Sequence, residues 1–317
     1  MGSQQLMINV GIIGSGRWAL ALTVILKDVK IIVKARDLSK VKIFFKNKDN
    51  ITFTDKFSDI VSCDFIFFAN PSQTLRECFT KLKKQSDYIN SRFIICCKGI
   101  EKKSNKLMSQ ILQEFYPKND FAVLSGPNFS SEVIKGLPTA TVLSSTNKQL
   151  VESISLIIQQ DKFRTYFNTD VVGTQVGGAM KNIIAIACGF IIGKQLGNNA
   201  KASIITRGLS EIIELGLKMG AHKNTFYGLS GIGDLTLTCS SLKSRNTKLG
   251  YDLAKKKKID TKNLVLEGME SCESVCELGK IHMIELPISN SVRKIVRGYE
   301  FSAVISDLLA RPLQFEK

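Results

Sequence analysis

The sequence predicts an α/β protein: a doubly wound, mostly parallel sheet in its first half and an all-helical domain in its second. Two observations carry that expectation. Between Ile8 and Leu124 short apolar runs alternate with amphipathic stretches, and after about Val171 the strand-like runs stop and long helical patterns take over. Length agrees, because 317 residues is long for one compact core and comfortable for two domains. The division falls at residues 1–170 and 171–317.

The predicted strands are Ile8–Ile13, Lys30–Val33, Asp64–Ala69, Arg92–Cys97 and Phe121–Leu124. They are continuously apolar rather than alternating, as a parallel sheet covered on both faces requires. Ser72–Lys84 and Ser104–Phe115 read as connecting helices. Thr139–Ser144 and Phe163–Phe167 flank another helical stretch and extend the sheet. The second half offers helices at Val171–Leu196, Ala200–Met219, Ser244–Lys255, Glu270–Ile281, Ser289–Val296 and Ser302–Leu309. Internal repeats and low-complexity linkers are absent from the sequence.

Composition narrows the class. Hydrophobic residues at 44% and charged residues at 23% are ordinary for a globular chain and argue against disorder. The formal net charge of +16 is unusual, yet lysines are spread from Lys27 to Lys317 and the only tight run is Lys255–Lys258. With no face or tail concentrating charge, no nucleic-acid partner is expected, and small anionic ligands remain. Of the 8 cysteines, Cys63, Cys96 and Cys97 sit in or beside apolar runs, and Cys272 and Cys276 share a helix face with no nearby histidine. Reduced thiols, a cytoplasmic location and no metal site are therefore expected. Met1–Asn9 has neither a basic segment nor an apolar one of signal-peptide type. Ile183–Gly193 is roughly half a bilayer span and reads as a buried helix, so a soluble protein without integral membrane contact is expected.

The first chemical signal is Gly14-Ser15-Gly16-Arg17-Trp18-Ala19, which follows the strand Ile8–Ile13 and opens an apolar helical pattern. Gly14 permits a sharp turn, Gly16 lets backbone approach a pyrophosphate, and the helix N-terminus offers free N–H groups. Ala19 stands at the third glycine position and still permits close helix–strand packing. This is a Rossmann-type dinucleotide turn. At the end of the second strand, Val33-Lys34-Ala35-Arg36-Asp37, Arg36 is a candidate for the 2′-phosphate of NADP and Asp37 for a helix cap. The expected cofactor is NADP or NAD, with NADP favoured. Only two histidines exist, His222 and His282, so a lysine is the natural proton donor.

Gly173-Thr174-Gln175-Val176-Gly177-Gly178-Ala179-Met180-Lys181-Asn182 resembles the catalytic-lysine segment of bacterial NAD(P)-dependent sn-glycerol-3-phosphate dehydrogenases. Ser125-Gly126-Pro127-Asn128-Phe129, Ile205-Thr206-Arg207-Gly208-Leu209, Gly231–Cys239 and Ser244-Arg245-Asn246 resemble further segments of that family, in its order and across nearly the whole chain. The resemblance implies reduction of dihydroxyacetone phosphate to sn-glycerol 3-phosphate for phospholipid synthesis by a soluble homodimer. It implies Lys181 as proton donor and acceptor. Substrate contacts fall to Lys98, Gly126, Asn128, Lys181, Asp234, Ser244, Arg245 and Asn246. Cofactor contacts fall to Gly14, Ser15, Gly16, Arg17, Trp18, Arg36, Lys98, Ser130, Arg245, Val265 and Glu267.

Physical chemistry supports those roles. Hydride addition to a ketone puts negative charge on oxygen, which a nearby cation stabilises and protonates. Lys181 precedes the apolar run Ile183–Ile186, where burial lowers an amine pKa. The Asp234 carboxylate suits either Lys181 or a substrate hydroxyl. Arg245 lies between two neutral hydrogen-bonding residues and near a helix start, suited to a phosphate.

The chain departs from the family at Ala19-Leu20, where Gly-Thr is usual, and at Ser271-Cys272, where Asn-Thr is common. Two other readings fit parts of the sequence. One is a related dehydrogenase acting on a hydroxy acid or sugar acid; the other is a non-catalytic dinucleotide sensor or nucleic-acid binder, suggested by the net charge.

Overall fold

The computed structural model describes residues 7–39, 41, 45, 49–257 and 265–300. Its sheet has strands β1 (Asn9–Ile13), β2 (Lys30–Lys34), β3 (Ile51–Thr54), β4 (Phe65–Phe68), β5 (Arg92–Ile95), β6 (Phe121–Ser125), β7 (Thr139–Ser144) and β8 (Phe163–Asn168). The strand order is β3-β2-β1-β4-β5-β6-β7-β8. Every neighbouring pair is parallel except β6–β7. The order reverses between β1 and β4, which opens a crevice beyond the C-terminal end of β1, the usual ligand position in such sheets.

Strand sequence explains the layering. In β4 every residue of Phe65-Ile66-Phe67-Phe68 is buried. Phe65 and Phe67 enter the core under α1 (Arg17–Ile25), while Ile66 and Phe68 enter the opposite core with α2 (Leu75–Lys83) and α3 (Met108–Phe115). That two-sided burial is the physical source of the continuous apolar runs. β3 escaped the sequence reading because it is an edge strand of mixed burial, with Thr52 exposed. A 3₁₀ turn, Ser72–Thr74, follows Pro71 and delays α2 to Leu75.

Two further helices attach to the sheet, α4 (Ser130–Ile134) and α5 (Lys148–Ile158), and α6 (Val171–Gly193) begins the helical part. α6 is long and apolar enough to cross a membrane, but 89% of its apolar window is buried in the core. The expected burial of Ile183–Gly193 is thus met. Around α6 pack α7 (Gly197–Lys218), α8 (Asp234–Cys239), α9 (Arg245–Ala254), α10 (Glu267–Ile281) and α11 (Pro287–Val296). The short α8 was not expected, and α10 begins at Glu267 instead of Glu270. The predicted helix Ser302–Leu309 and Lys258 lie outside the described residues.

Contact between α6 and α9 is set by glycines. A Cβ on Gly189 would overlap the Thr247 carbonyl, and one on Gly250 would overlap the Ile186 carbonyl. The two backbones therefore touch, which places the start of α9 beside the middle of α6. All 8 cysteines are free thiols. A polar seam joins the helices to the sheet domain. The Ile100 N–H donates to Ser271 Oγ at 3.1 Å, Ser274 Oγ donates to the Glu101 carbonyl at 3.0 Å, and Ser109 N–H donates to Gln175 Oε1 at 2.9 Å. Lys102 and Glu270 add an ion pair.

Candidate functional site

The crevice begins where β1 ends. Gly14 has φ +119°, and a Cβ there would stand 2.8 Å from the Ala69 carbonyl atoms and 2.9 Å from Asn70 N. Only glycine fits. Its N–H donates to the Lys34 carbonyl at 3.0 Å, which ties the turn to β2. Gly16 has open space at the Cβ position. α1 starts with neither a side-chain cap nor an acid in its first turn, so its N–H groups are open to an anion. The Asn70 Oδ1 is buried without a hydrogen-bond partner, and the buried Trp18 indole N–H has only the Cys96 thiol beside it. An open helix start beside a glycine-only turn fits a dinucleotide pyrophosphate, with Ser15, Arg17 and Trp18 on its rim.

At the end of β2, Arg36 is exposed and forms no ion pair among the described residues. Asp37 turns away from that role: its Oδ1 accepts hydrogen bonds from Ser39 N at 3.0 Å and Ser39 Oγ at 2.6 Å. The acid is committed to the following turn, as a cap would be.

A candidate reaction centre is assembled between the sheet and the helices. Lys181 on α6 is 7% exposed and Asp234, at the start of α8, is 1% exposed. Lys181 Nζ donates to Asp234 Oδ1 at 2.5 Å and to Thr238 Oγ1 at 3.0 Å. Lys98, after β5, donates to Asp234 Oδ2 at 2.7 Å and to the Gly126 carbonyl at 3.0 Å. One carboxylate thus bridges two ammonium groups. Burial pulls the Lys181 pKa down to about 8 against the opposing charge of Asp234, with Lys98 adding to the fall. Burial works against the Asp234 carboxylate as well, yet the two lysines outweigh it and hold it below the usual carboxylate range.

Thr238 was not singled out from the sequence. It lies one helical turn beyond Asp234, and its hydroxyl donates to the Asp234 carbonyl at 2.6 Å. That fixes the hydroxyl proton and leaves the oxygen to accept from Lys181. An ammonium has three N–H donors; Asp234 and Thr238 take two and leave the last for a ligand. The spacing of Asp234 and Thr238 was the available signal.

The substrate-loop and α9 residues fall into engaged and open groups. Asn128 is spent on the sheet: its Nδ2 donates to the Ala140 carbonyl at 2.7 Å, and its Oδ1 accepts from Thr141 Oγ1 at 3.1 Å. Gly126 has φ +129° and shows its carbonyl to Lys98. Ser244 caps α9 through Thr247 N at 3.3 Å. Asn246 is buried, donating to Asn182 Oδ1 at 3.0 Å and accepting from Gly268 N at 3.1 Å. Arg245 between them is exposed, with no hydrogen bond or ion pair among the described residues.

Glu267, the first residue of α10, reaches the other domain. It accepts from Ser72 N at 3.0 Å and from Ser72 Oγ, and burial raises its pKa. Ser72 is a second residue that sequence reasoning missed. Val265 lies half-buried just before α10, and Ser130 opens α4, which packs on α1. Neither histidine joins the centre: His222 precedes a 3₁₀ turn and His282 ends α10.

Comparison with known proteins identifies the family. Residues 9–151 match the family described as the NAD-dependent glycerol-3-phosphate dehydrogenase N-terminus, and residues 170–305 match its C-terminus. A glycerol-3-phosphate dehydrogenase (NAD(P)+) of Parvibaculum lavamentivorans is 34% identical, over 97% of this chain and 98% of the relative. One of Caulobacter vibrioides is 36% identical over 97% and 98%. The crystal structure of a glycerol-3-phosphate dehydrogenase from Coxiella burnetii superposes with a TM-score of 0.89 at 29% identity, covering 96% of this chain and 99% of the other. The chain belongs to the NAD-dependent glycerol-3-phosphate dehydrogenase family and is an NAD(P)-dependent oxidoreductase.

Proposed function

We propose that the enzyme reduces dihydroxyacetone phosphate to sn-glycerol 3-phosphate with NADPH favoured over NADH, and that Lys181 is the proton donor. The observation that carries the reading is Lys181 itself: a buried ammonium with a pKa near 8, held by Asp234 and Thr238 and left with one free N–H. When bound, the nicotinamide supplies the hydride. Lys181 stabilises the charge that develops on the ketone oxygen and delivers the proton there. In the reverse direction its neutral amine takes the proton.

The other residues orient. Asp234 holds both lysines in place and opposes the loss of the Lys181 charge, and Lys98 offers a second donor facing the substrate loop of Gly126 and Asn128. Arg245, at the start of α9 with Ser244 and Asn246 beside it, receives the substrate phosphate, which the helix N-terminus also attracts. Gly14, Ser15, Gly16, Arg17 and Trp18 take the pyrophosphate, Arg36 the adenosine end, and Ser130, Val265 and Glu267 complete the cofactor contacts. In this reading the chain divides near residue 170 into a dinucleotide-binding domain and a substrate domain. The family resemblance further supports a cytoplasmic homodimer feeding glycerophospholipid synthesis.

Oxidation of NADPH and of NADH by the purified protein with dihydroxyacetone phosphate, for wild type and Lys181→Ala, tests the reading. Turnover that collapses in the variant while cofactor binding survives is expected. Absence of turnover with either cofactor sinks the substrate assignment; full activity in the variant sinks the lysine alone.

A further inference from the structure

The end of β2 carries a cation that the proposed reaction leaves unused. Lys34 is the last residue of β2 and only 8% exposed. Its carbonyl accepts the Gly14 N–H at 3.0 Å, so its backbone is fixed to the pyrophosphate turn. Strand alternation sends Val33 to the core beneath α1 and Lys34 to the opposite face. There its ammonium lies 4.3 Å from the centroid of the Phe57 ring. Among the described residues it makes no hydrogen bond and no ion pair. A ring face attracts a cation but does not neutralise it. A buried ammonium without a carboxylate is costly, and an apolar side chain would pack here at no such cost.

The surroundings add to that cost. Burial lowers the Lys34 pKa, and Lys81 and Arg36 push the same way, opposed by Cys78 and Asp55. Lys81 lies on α2, exposed and paired with Glu77 at 2.5 Å. Arg36 is exposed and unpaired among the described residues. Glu77 in turn feels Lys81 first, then Arg36 and Lys34. Like charges thus converge where a Rossmann-type sheet presents the adenosine ribose, and Asp37, the acid closest by in sequence, is bonded to Ser39. A site built for free ribose hydroxyls needs an acceptor; here three cations outnumber the two nearby acids, Asp55 and Glu77, and Glu77 is already paired with Lys81.

We propose that Lys34 is a cofactor-specificity residue: with Arg36 and Lys81 it forms a cationic socket for the 2′-phosphate of the adenosine ribose. The inference rests on the NADP reading above and assigns that preference to a residue inside the strand. Phe57 holds the ammonium in the socket without satisfying it, and the arriving phosphate supplies the missing anion.

Binding of adenosine 2′,5′-bisphosphate and of 5′-AMP to the purified full chain, by calorimetry, tests this without turnover. Wild type binds the bisphosphate at least about tenfold more tightly, and Lys34→Met loses most of that preference with 5′-AMP affinity unchanged. Met keeps an unbranched stem against Phe57. If Lys34→Met does not fold, Lys81→Gln on the exposed face of α2 carries the test, with about threefold loss expected. A folded Lys34→Met protein with the full preference overturns the role of Lys34, and Arg36→Ala losing it would leave the NADP reading standing. Equal wild-type affinity for the two nucleotides overturns both.

Discussion

The reaction centre and the mouth of the dinucleotide crevice treat their cations in opposite ways. At the centre, Lys181 and Lys98 share the two oxygens of Asp234, so each ammonium has a carboxylate partner in the fold alone while the trio keeps one net positive charge. At the mouth, Arg36 and Arg245 form no ion pair among the described residues, Arg245 feeling Glu267 only at longer range, and Lys34 touches only a ring. The difference follows from when each charge acts. A proton donor must be in position before the ketone arrives, so its geometry is fixed by buried partners. An anion-binding group gains most if nothing in the free protein competes with the ligand, so it is left unpaired near solvent. The two regions should accordingly fail in different currencies, rate at the centre and affinity at the mouth.

Lys181→Ala tests the first half most severely. Loss of general acid catalysis together with electrostatic stabilisation lowers kcat by about 10³-fold or more, with nucleotide affinity within about twofold of wild type. Titration by protein fluorescence checks the second number. A comparable loss of affinity would erase the distinction between the regions. On the proposed mechanism reduction uses the ammonium, so wild-type kcat/KM is expected to fall as pH rises through about 8, and that of oxidation, which uses the neutral amine, to rise through the same pH.

Asp234→Asn sharpens the comparison. Asp234 holds the Lys181 pKa up against burial. Removing its charge lets burial win, so the reductive limb moves to lower pH, and kcat at neutral pH drops by about 10²-fold. A pH–rate profile of both proteins decides it. A limb that stays in place would mean that some other group titrates.

Gly250→Ala attacks the frame that joins the regions. The added methyl meets the Ile186 carbonyl on the facing helix, where backbone cannot move aside as a side chain would. Overpacking of this kind costs about 1–3 kcal/mol, read as a lower Tm. It also pushes the start of α9 away from α6, so the KM for the phosphorylated substrate rises more than kcat falls. Equal effects on both would place Arg245 outside the phosphate site.

These regions were not equally legible in the sequence. The crevice was, because its parts are contiguous: strand, Gly14, Gly16 and helix lie within one short segment, and each has a local physical reason. β1, β2, β4, β5 and β6 were legible because burial on both faces leaves an unbroken apolar run. β3 was not, since an edge strand with Thr52 exposed carries no such run. At the centre the residues were found by motif resemblance, while their pairing was invisible. Lys98 and Lys181 meet Asp234 across 136 and 53 positions, and no periodicity reports a contact of that kind. The sequence left open whether Asp234 holds Lys181 or a substrate hydroxyl; the 2.5 Å contact with Lys181 answers for the free enzyme. Lys34 reads as the polar end of a strand until Phe57 and Lys81 are placed around it.

The smallest effect comes from the seam that serves both regions alike. Ser271 stands where the family commonly has asparagine, and its Oγ, fully buried, accepts the Ile100 N–H at 3.1 Å. Ile100 lies two residues after Lys98 of the centre, and Ser271 lies one helical turn after Glu267 at the cofactor side. In Ser271→Ala a buried N–H loses its acceptor, at a cost of about 1–3 kcal/mol. A Tm lower by about 1.5 °C for each of those kcal/mol follows from the unfolding entropy of 317 residues. Because the bond joins domains and touches neither ligand, kcat and nucleotide affinity should both remain within about twofold. Should kcat alone fall by tenfold, the seam would be holding Lys98 in register and would belong with the reaction centre. Should affinity alone fall, it would belong with the crevice through Glu267.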